Sequence, residues 1–190
     1  MSVVSIDQAW PAAGQPFTTA ELDRMPDDGR RYELLDGVLV VSPRPTTVHQ
    51  VAAYRVAAAL GPACPAEWQV VPEPAVVLSQ QTGFDPDVVV SPLVDLGGAK
   101  ITRPPLLVVE IRSPGTALFD LNAKKAAYQG FGVESYWIVL PDLGKPELIA
   151  FELRRGQYEQ VAQVSGDEVF AAVRPFPVAV VPSRLVAGLR

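Results

Sequence analysis

Cysteine and histidine are nearly missing from this chain, which has one of each, Cys64 and His49. A lone cysteine excludes an internal disulfide and a cysteine-rich zinc site. A lone histidine excludes a multi-histidine zinc enzyme. No uncharged apolar run reaches the roughly 18 residues of a membrane helix, so no membrane partner is expected. The opening stretch, MSVVSIDQAWPAAGQP, has an acid and two prolines where a secretory leader would be apolar, and a cytoplasmic location is expected. No glycine-rich phosphate loop and no GxSxG elbow occurs, so nucleotide hydrolysis and serine hydrolase chemistry find no support. An excess of basic charge is also missing. The net charge of -5 argues against a generic coat for polyanions.

What remains is a chain of 190 residues, 48% hydrophobic, enough to bury one good core. It reads as a single domain over residues 1–190, with 1–16 a flexible N-terminus. Its charge is uneven: residues 1–95 hold 5 basic and 12 acidic side chains, residues 96–190 hold 11 and 9. Between 100 and 125, Lys100, Arg103, Arg112, Lys124 and Lys125 face only Glu110 and Asp120. Any nucleic-acid face is expected around that stretch.

Along the chain, Thr18 or Thr19 followed by AELDRMP predicts a short capped helix ended by Pro26. RYELL and VLVVS flank Asp36-Gly37, the strongest short-range hairpin signal, and predict paired strands over 31–42. TTVHQVAAYRVAAALG predicts a helix stopped by Gly61, with His49, Ala52, Ala53, Val56 and Leu60 on one face. WQVVPEPAVVL, DVVV, LLVVEI and SYWIVL predict strands, the middle two apolar enough to be covered on both faces. An SPGT turn leads to ALFDLNAKKAAYQG, a helix with Gly130 at its end. LLVVEI, helix and SYWIVL then form a right-handed βαβ unit. ELIAFEL and GQYEQVAQV, split by Arg155-Gly156, predict a C-terminal hairpin, and the last 20 residues carry no clear pattern.

The chemistry concentrates where acids end apolar strands, since a buried charge is costly unless compensated. Asp87 opens one strand and Glu110 closes another. If the strands are neighbours, the two carboxylates can share a hard cation such as Mg²⁺; caps or surface salt bridges are the plainer alternative. Glu33, on the strand face of Leu35, falls in a cleft or pairs with Arg31 or Arg44. Lys124 borders the sheet-facing side of its helix and either meets an anion there or pairs with Asp120. Lys125 is expected in solvent. Arg112 shares the Glu110 strand face and either binds phosphate or neutralises Glu110. His49 reads as a core histidine that joins the site only if its helix end overlooks it, and Tyr128 as a core aromatic. Clustered Glu33, Asp87 and Glu110 should repel one another and raise at least one pKa.

These blocks carry a resemblance. FTTAELDRMPDDGRRYELLDGVLVVSPRPTTVHQ, FDPDVVV, PLLVVEIRSPGTALFDLNAKKAAYQGFGVESYWIVLP and a short hairpin, in order from about residue 17 to 160, resemble the Uma2 family of restriction-endonuclease-like proteins, placed in the PD-(D/E)xK nuclease superfamily. The resemblance implies an α/β fold with a mixed central sheet flanked by helices and β-hairpins near both ends. It also implies Mg²⁺ or Mn²⁺ as cofactor and DNA as partner, with a homodimer a common arrangement. By it, Asp87, Glu110 and Glu33 are the metal-site acids, and Lys124 is the catalytic lysine beside them. Arg112, His49 and Tyr128 are positions on the substrate side. The departure is Arg112, which stands where the superfamily pattern has lysine; its planar fork does not give up a proton. The expectation is a Mg²⁺-dependent DNA endonuclease. The alternative is a catalytically idle nuclease-like fold that binds nucleic acid or protein.

Overall fold

The computed structural model of the chain describes residues 14–112 and 119–190, with side chains from residue 122 onward in the second stretch. The expected flexible terminus, as far as residue 13, and the SPGT turn lie outside the described residues, as does the Asp120 side chain proposed to pair with Lys124. A helical turn, α1 (Thr19–Leu22), is capped by Thr18, whose amide donates to the Glu21 carboxylate at 2.8 Å. Strands β1 (Arg31–Leu35) and β2 (Val38–Ser42) pair antiparallel, with Leu35 opposite Val38. Asp36 and Gly37 between them both take positive φ, 48° and 78°, the geometry of a two-residue hairpin turn and the reason an Asp-Gly pair is used there.

Helix α2 (Thr47–Leu60) begins at Thr46, whose hydroxyl accepts from the His49 amide. It buries His49, Ala52, Val56 and Leu60, the expected face, with Ala53 half-buried beside it. Gly61 does not stop the chain's coiling: it stays right-handed and starts a 3-10 turn, Gly61–Ala63. The stretch expected as one strand, WQVVPEPAVVL, divides into β3 (Trp68–Pro72) and β4 (Val76–Ser79). Pro72 and Pro74 supply no N–H to a ladder, and Glu73 between them turns at φ 48°.

After β5 (Thr82–Phe84) come β6 (Val88–Pro92) and β7 (Leu107–Ile111), then a π-helical segment, Phe119–Lys124, which runs into α3 (Lys125–Phe131). The helix passes Gly130 and ends on Gly132, whose φ of 97° makes it the left-handed cap. Strands β8 (Ser135–Leu140), β9 (Glu147–Arg154) and β10 (Gln157–Ser165) follow; Arg155 and Gly156, φ 52° and 79°, form the second hairpin turn. The final stretch forms a small ribbon, β11 (Phe170–Ala172) with β12 (Val178–Val180), and a closing turn, α4 (Pro182–Val186).

The larger sheet runs β10-β9-β8-β7-β6-β3, with β7 and β8 parallel and the other neighbours antiparallel; the smaller runs β2-β1-β5-β4. Val88, Val90, Val109 and Ile111 pack on the α2 side, while Val89, Val108, Tyr136 and Ile138 pack on the side of Tyr128 and Phe84. Both faces are covered, which is why β6 to β8 read as continuous apolar runs. Among the described residues, no helix is long and apolar enough to cross a membrane.

Candidate active site

The β6–β7 register fixes the geometry of the site. Val88 stands opposite Val109; Asp87 precedes the one and Glu110 follows the other, so both acids lie at the same end of the β6–β7 pair. The Asp87 carboxylate reaches the Ile111 amide, one residue beyond Glu110, across that end of the sheet. The smaller sheet contributes β1 from above: Arg31 and Glu33, two apart, leave its same face toward this corner. The π segment and α3 bring up Lys124 and Tyr128, four apart and so on one side of the helix.

Lys124 is the hub. Its buried Nζ donates to Glu33 Oε1 at 2.8 Å and to Glu110 Oε1 and Oε2 at 3.2 and 3.3 Å. The Tyr128 hydroxyl donates to Glu110 Oε1 at 2.9 Å. Glu33 Oε1 also accepts the Asp85 amide at 3.1 Å. The partner of Glu33 is therefore Lys124, and neither Arg31 nor Arg44 forms the expected hairpin salt bridge with it. The Phe84 ring lies 5.3 Å from the Lys124 ammonium and 5.3 Å from the Tyr128 ring, closing the apolar side of the cluster. Burial and the Glu110 and Glu33 carboxylates push the Tyr128 hydroxyl well above its usual pKa, so it stays a donor.

Asp87 is held from three directions. Its Oδ1 accepts both terminal nitrogens of Arg31 at 3.1 Å, and its Oδ2 accepts the Ile111 amide at 2.6 Å and lies 3.2 Å from His49 Nε2. His49 therefore joins the site: it sits in the first turn of α2, where the helix dipole also favours an anion. The buried His49 Nδ1 has no partner among the described residues. Burial alone would raise the Asp87 pKa; the His49 hydrogen bond and charge, Arg31 and the Ile111 amide bring it below the usual value. Burial also works against the Arg31 cation, and Asp87, Glu33 and Glu110 more than restore it, so its pKa rises.

Mutual repulsion among Glu33, Asp87 and Glu110 is thus not what governs Asp87. The raised carboxyl is one the sequence did not single out: Asp85 goes up to about 6, first through burial and then through Glu33. A raised folded-state pKa stabilises below the unfolded value and loses that contribution as pH climbs through the folded one. The window is about pH 4 to 6. Asp85→Asn removes this cost and is expected to add about 2 kcal/mol at pH 7, or several degrees in Tm, and nothing at pH 4. Thermal melts at the two pH values check it, and an equal shift at both would contradict the assignment.

Arg31 and Asp85 were missed, yet each stands two residues before a recognised acid, Glu33 and Asp87, on an extended stretch where that spacing returns to the same face. Of the two alternatives for Arg112, neutralising Glu110 is not the one found. The cation on Glu110 is Lys124, and the half-buried Arg112 guanidinium takes no hydrogen bond or ion pair among the described residues; its amide continues the parallel ladder to Val139. Lys125 is not simply in solvent, because its ammonium rests 3.9 Å from the centre of the Phe151 ring.

Four carboxylates (Glu33, Asp85, Asp87, Glu110) meet two fixed cations (Arg31, Lys124), so these six groups carry a formal charge of −2. Among the described residues, no three His, Cys, Asp or Glu side chains are arranged as a metal cage. The Asp87–Glu110 pair supplies what a hard divalent ion needs from protein, one or two carboxylates with the remaining positions left to water. Charge and donor type therefore fit a single ion at that pair, with Glu33 engaged by Lys124.

A mixed sheet clasping buried acids and a lysine at the end of its central strands defines a nuclease-like α/β fold. The chain belongs to the Uma2 family, whose model, described as "Putative restriction endonuclease", matches residues 19–184. Among solved structures, the chain is similar to one titled a "putative nuclease belonging to DUF820" from Anabaena variabilis ATCC 29413, at 15% identity and a TM-score of 0.69, covering 90% of this chain and 98% of that one. No curated protein matches.

Proposed function

We propose that this protein is a metal-dependent endonuclease that hydrolyses phosphodiester bonds of DNA. The observation that supports it is the meeting of Lys124 with Glu33 and Glu110, beside an Arg31 that bonds Asp87 and feels the charges of Glu33 and Glu110. Mg²⁺ or Mn²⁺, held by Asp87 and Glu110, would supply an acidic bound water and neutralise charge on the scissile phosphate. The chain's residues do the rest. Arg31, His49 and the Ile111 amide keep Asp87 ionised and oriented. Glu33 and Tyr128 fix the Lys124–Glu110 pair, and the Lys124 ammonium orients the attacking water and faces the phosphate. Arg112, unengaged and beyond the end of β7, grips the neighbouring phosphate as a fork. Two copies would be needed to cut both strands together.

A second reading is an idle nuclease-like fold that binds nucleic acid. It is favoured by arginine at position 112 and by the in-chain donors already on Asp87, Glu110 and Glu33. Supercoiled plasmid with Mg²⁺ or Mn²⁺ separates the two. Nicking or linearisation that disappears in Asp87→Asn and Glu110→Gln supports the enzyme, and binding without cleavage by the pure protein supports the idle module. Arg112→Ala should weaken DNA binding and lower the slope of log affinity against log salt by about one contact. An unchanged slope would take Arg112 out of the phosphate grip.

A further inference from the structure

A cleft of about 600 Å³ opens beside the acid cluster, between α1, the β1 hairpin and the β4–β5 edge. Leu22, Met25, Pro26 and Val77 are half-buried apolar elements of its lining, and Arg44, Gln50 and Asp27 line it with polar groups. Arg31 and Asp85 line it too, and both belong to the catalytic corner. Glu73 and Asp23 on its walls are answered by Arg31 and Lys100. Arg44 takes no ion pair among the described residues.

We infer that this cleft receives one unstacked nucleotide next to the scissile phosphate, so that the substrate of the site is single-stranded or locally opened nucleic acid; the inference rests on the nuclease reading. The chemistry of the lining carries it. An apolar surface with a few hydrogen-bonding groups suits the face and edges of a nucleobase. Arg44 stands ready for a phosphate, and Arg31 joins the cleft to the catalytic acids. The charges argue in the same direction. Duplex binding without base contacts rests on many cations releasing counterions. This chain carries −5 overall and a cleft whose bases are largely matched by acids, so affinity must come from the base itself. A paired base inside a duplex cannot enter a pocket of this kind without leaving its stack.

The test uses the full chain in metal-free buffer with EDTA, where cleavage plays no part. The probes are a fluorescein-labelled thymidine tetranucleotide and a blunt duplex of the same label. Ala75, a small residue of the cleft wall, is replaced by tryptophan to fill the space, and Arg44 by alanine. The tetranucleotide should bind at least about tenfold more tightly than the duplex, and each variant should weaken it by about tenfold or more, the size of one lost stacking or charged contact. Thermal melts confirm that both variants fold; should Ala75→Trp unfold, Gln50→Trp fills the same cleft from the exposed side of α2. Preference for duplex, no binding of the tetranucleotide, or binding untouched by both folded variants would overturn the inference. Binding as expected by a protein that cuts nothing with Mg²⁺ or Mn²⁺ would uphold the cleft and sink the catalytic reading. Cleavage indifferent to a filled cleft would do the reverse.

Discussion

Lys124→Ala is expected to lower the cleavage rate by about 10²-fold or more, the usual size for a group that positions or protonates at the reacting centre. DNA affinity should remain nearly intact, because the Lys124 ammonium is held by Glu33 and Glu110 and the grip on the backbone is assigned to Arg112. The same change should cost stability. It strands Glu33 and Glu110, 3% and 2% exposed, without the ammonium that neutralises them, and breaking a buried pair by removing one partner costs about 3–5 kcal/mol. Cleavage and denaturant unfolding on the same preparation, at a temperature where the variant remains folded, check both halves. Wild-type cleavage by folded Lys124→Ala would remove Lys124 from the mechanism. A stability loss with no cleavage by wild type would leave it a structural ion pair.

Asp87→Asn has the second large effect, and its sign differs from what a cluster of mutually repelling acids suggests. Relief of repulsion would leave stability unchanged or improved without metal. Here Asp87 is enclosed by donors: Oδ1 faces Arg31, and Oδ2 faces the Ile111 amide and His49. An amide nitrogen placed on either side meets another donor. The loss should be about 1–3 kcal/mol at pH 7 in metal-free buffer, the cost of a buried group left unmatched. Because the folded-state pKa of Asp87 is lowered, its contribution is present above the unfolded value and fades as pH falls through the folded one. The difference between wild type and Asp87→Asn should therefore shrink below about pH 4. A constant difference down to strong acid would contradict the ion-pair assignment.

Much of this arrangement is legible in the residues themselves. Asp-Gly and Arg-Gly pairs mark both hairpins because only a few residues tolerate two successive positive φ values. The apolar runs of β6 to β8 announce a sheet covered on both faces, and acids at their ends stand out as charges in need of an explanation. Lys124 can be placed toward the sheet from helical spacing, even though the segment that carries it is π-helical and departs from that period. Its exact partners cannot, since Glu33 lies 91 positions away, on a strand of another sheet. Arg31 is hidden for a related reason: its nearest acid in sequence is Glu33, and its partner in space is Asp87, reached only once β1 folds over the end of β6. The end of α3 was misplaced by two residues, because Gly130 and Gly132 are equivalent as letters and only the second is left-handed. The division of WQVVPEPAVVL could have been drawn from its two prolines, which do not permit an unbroken interior strand.

The central claim is that Asp87 and Glu110 form one site for a hard divalent ion on a nuclease scaffold. Isothermal titration of the pure, EDTA-treated chain with Mn²⁺, and competition with Mg²⁺, tests it most directly. One ion per chain is expected, with binding abolished in Asp87→Asn and in Glu110→Gln and retained in Arg112→Ala. Absence of any binding at millimolar ion, or binding indifferent to both acid substitutions, would contradict it.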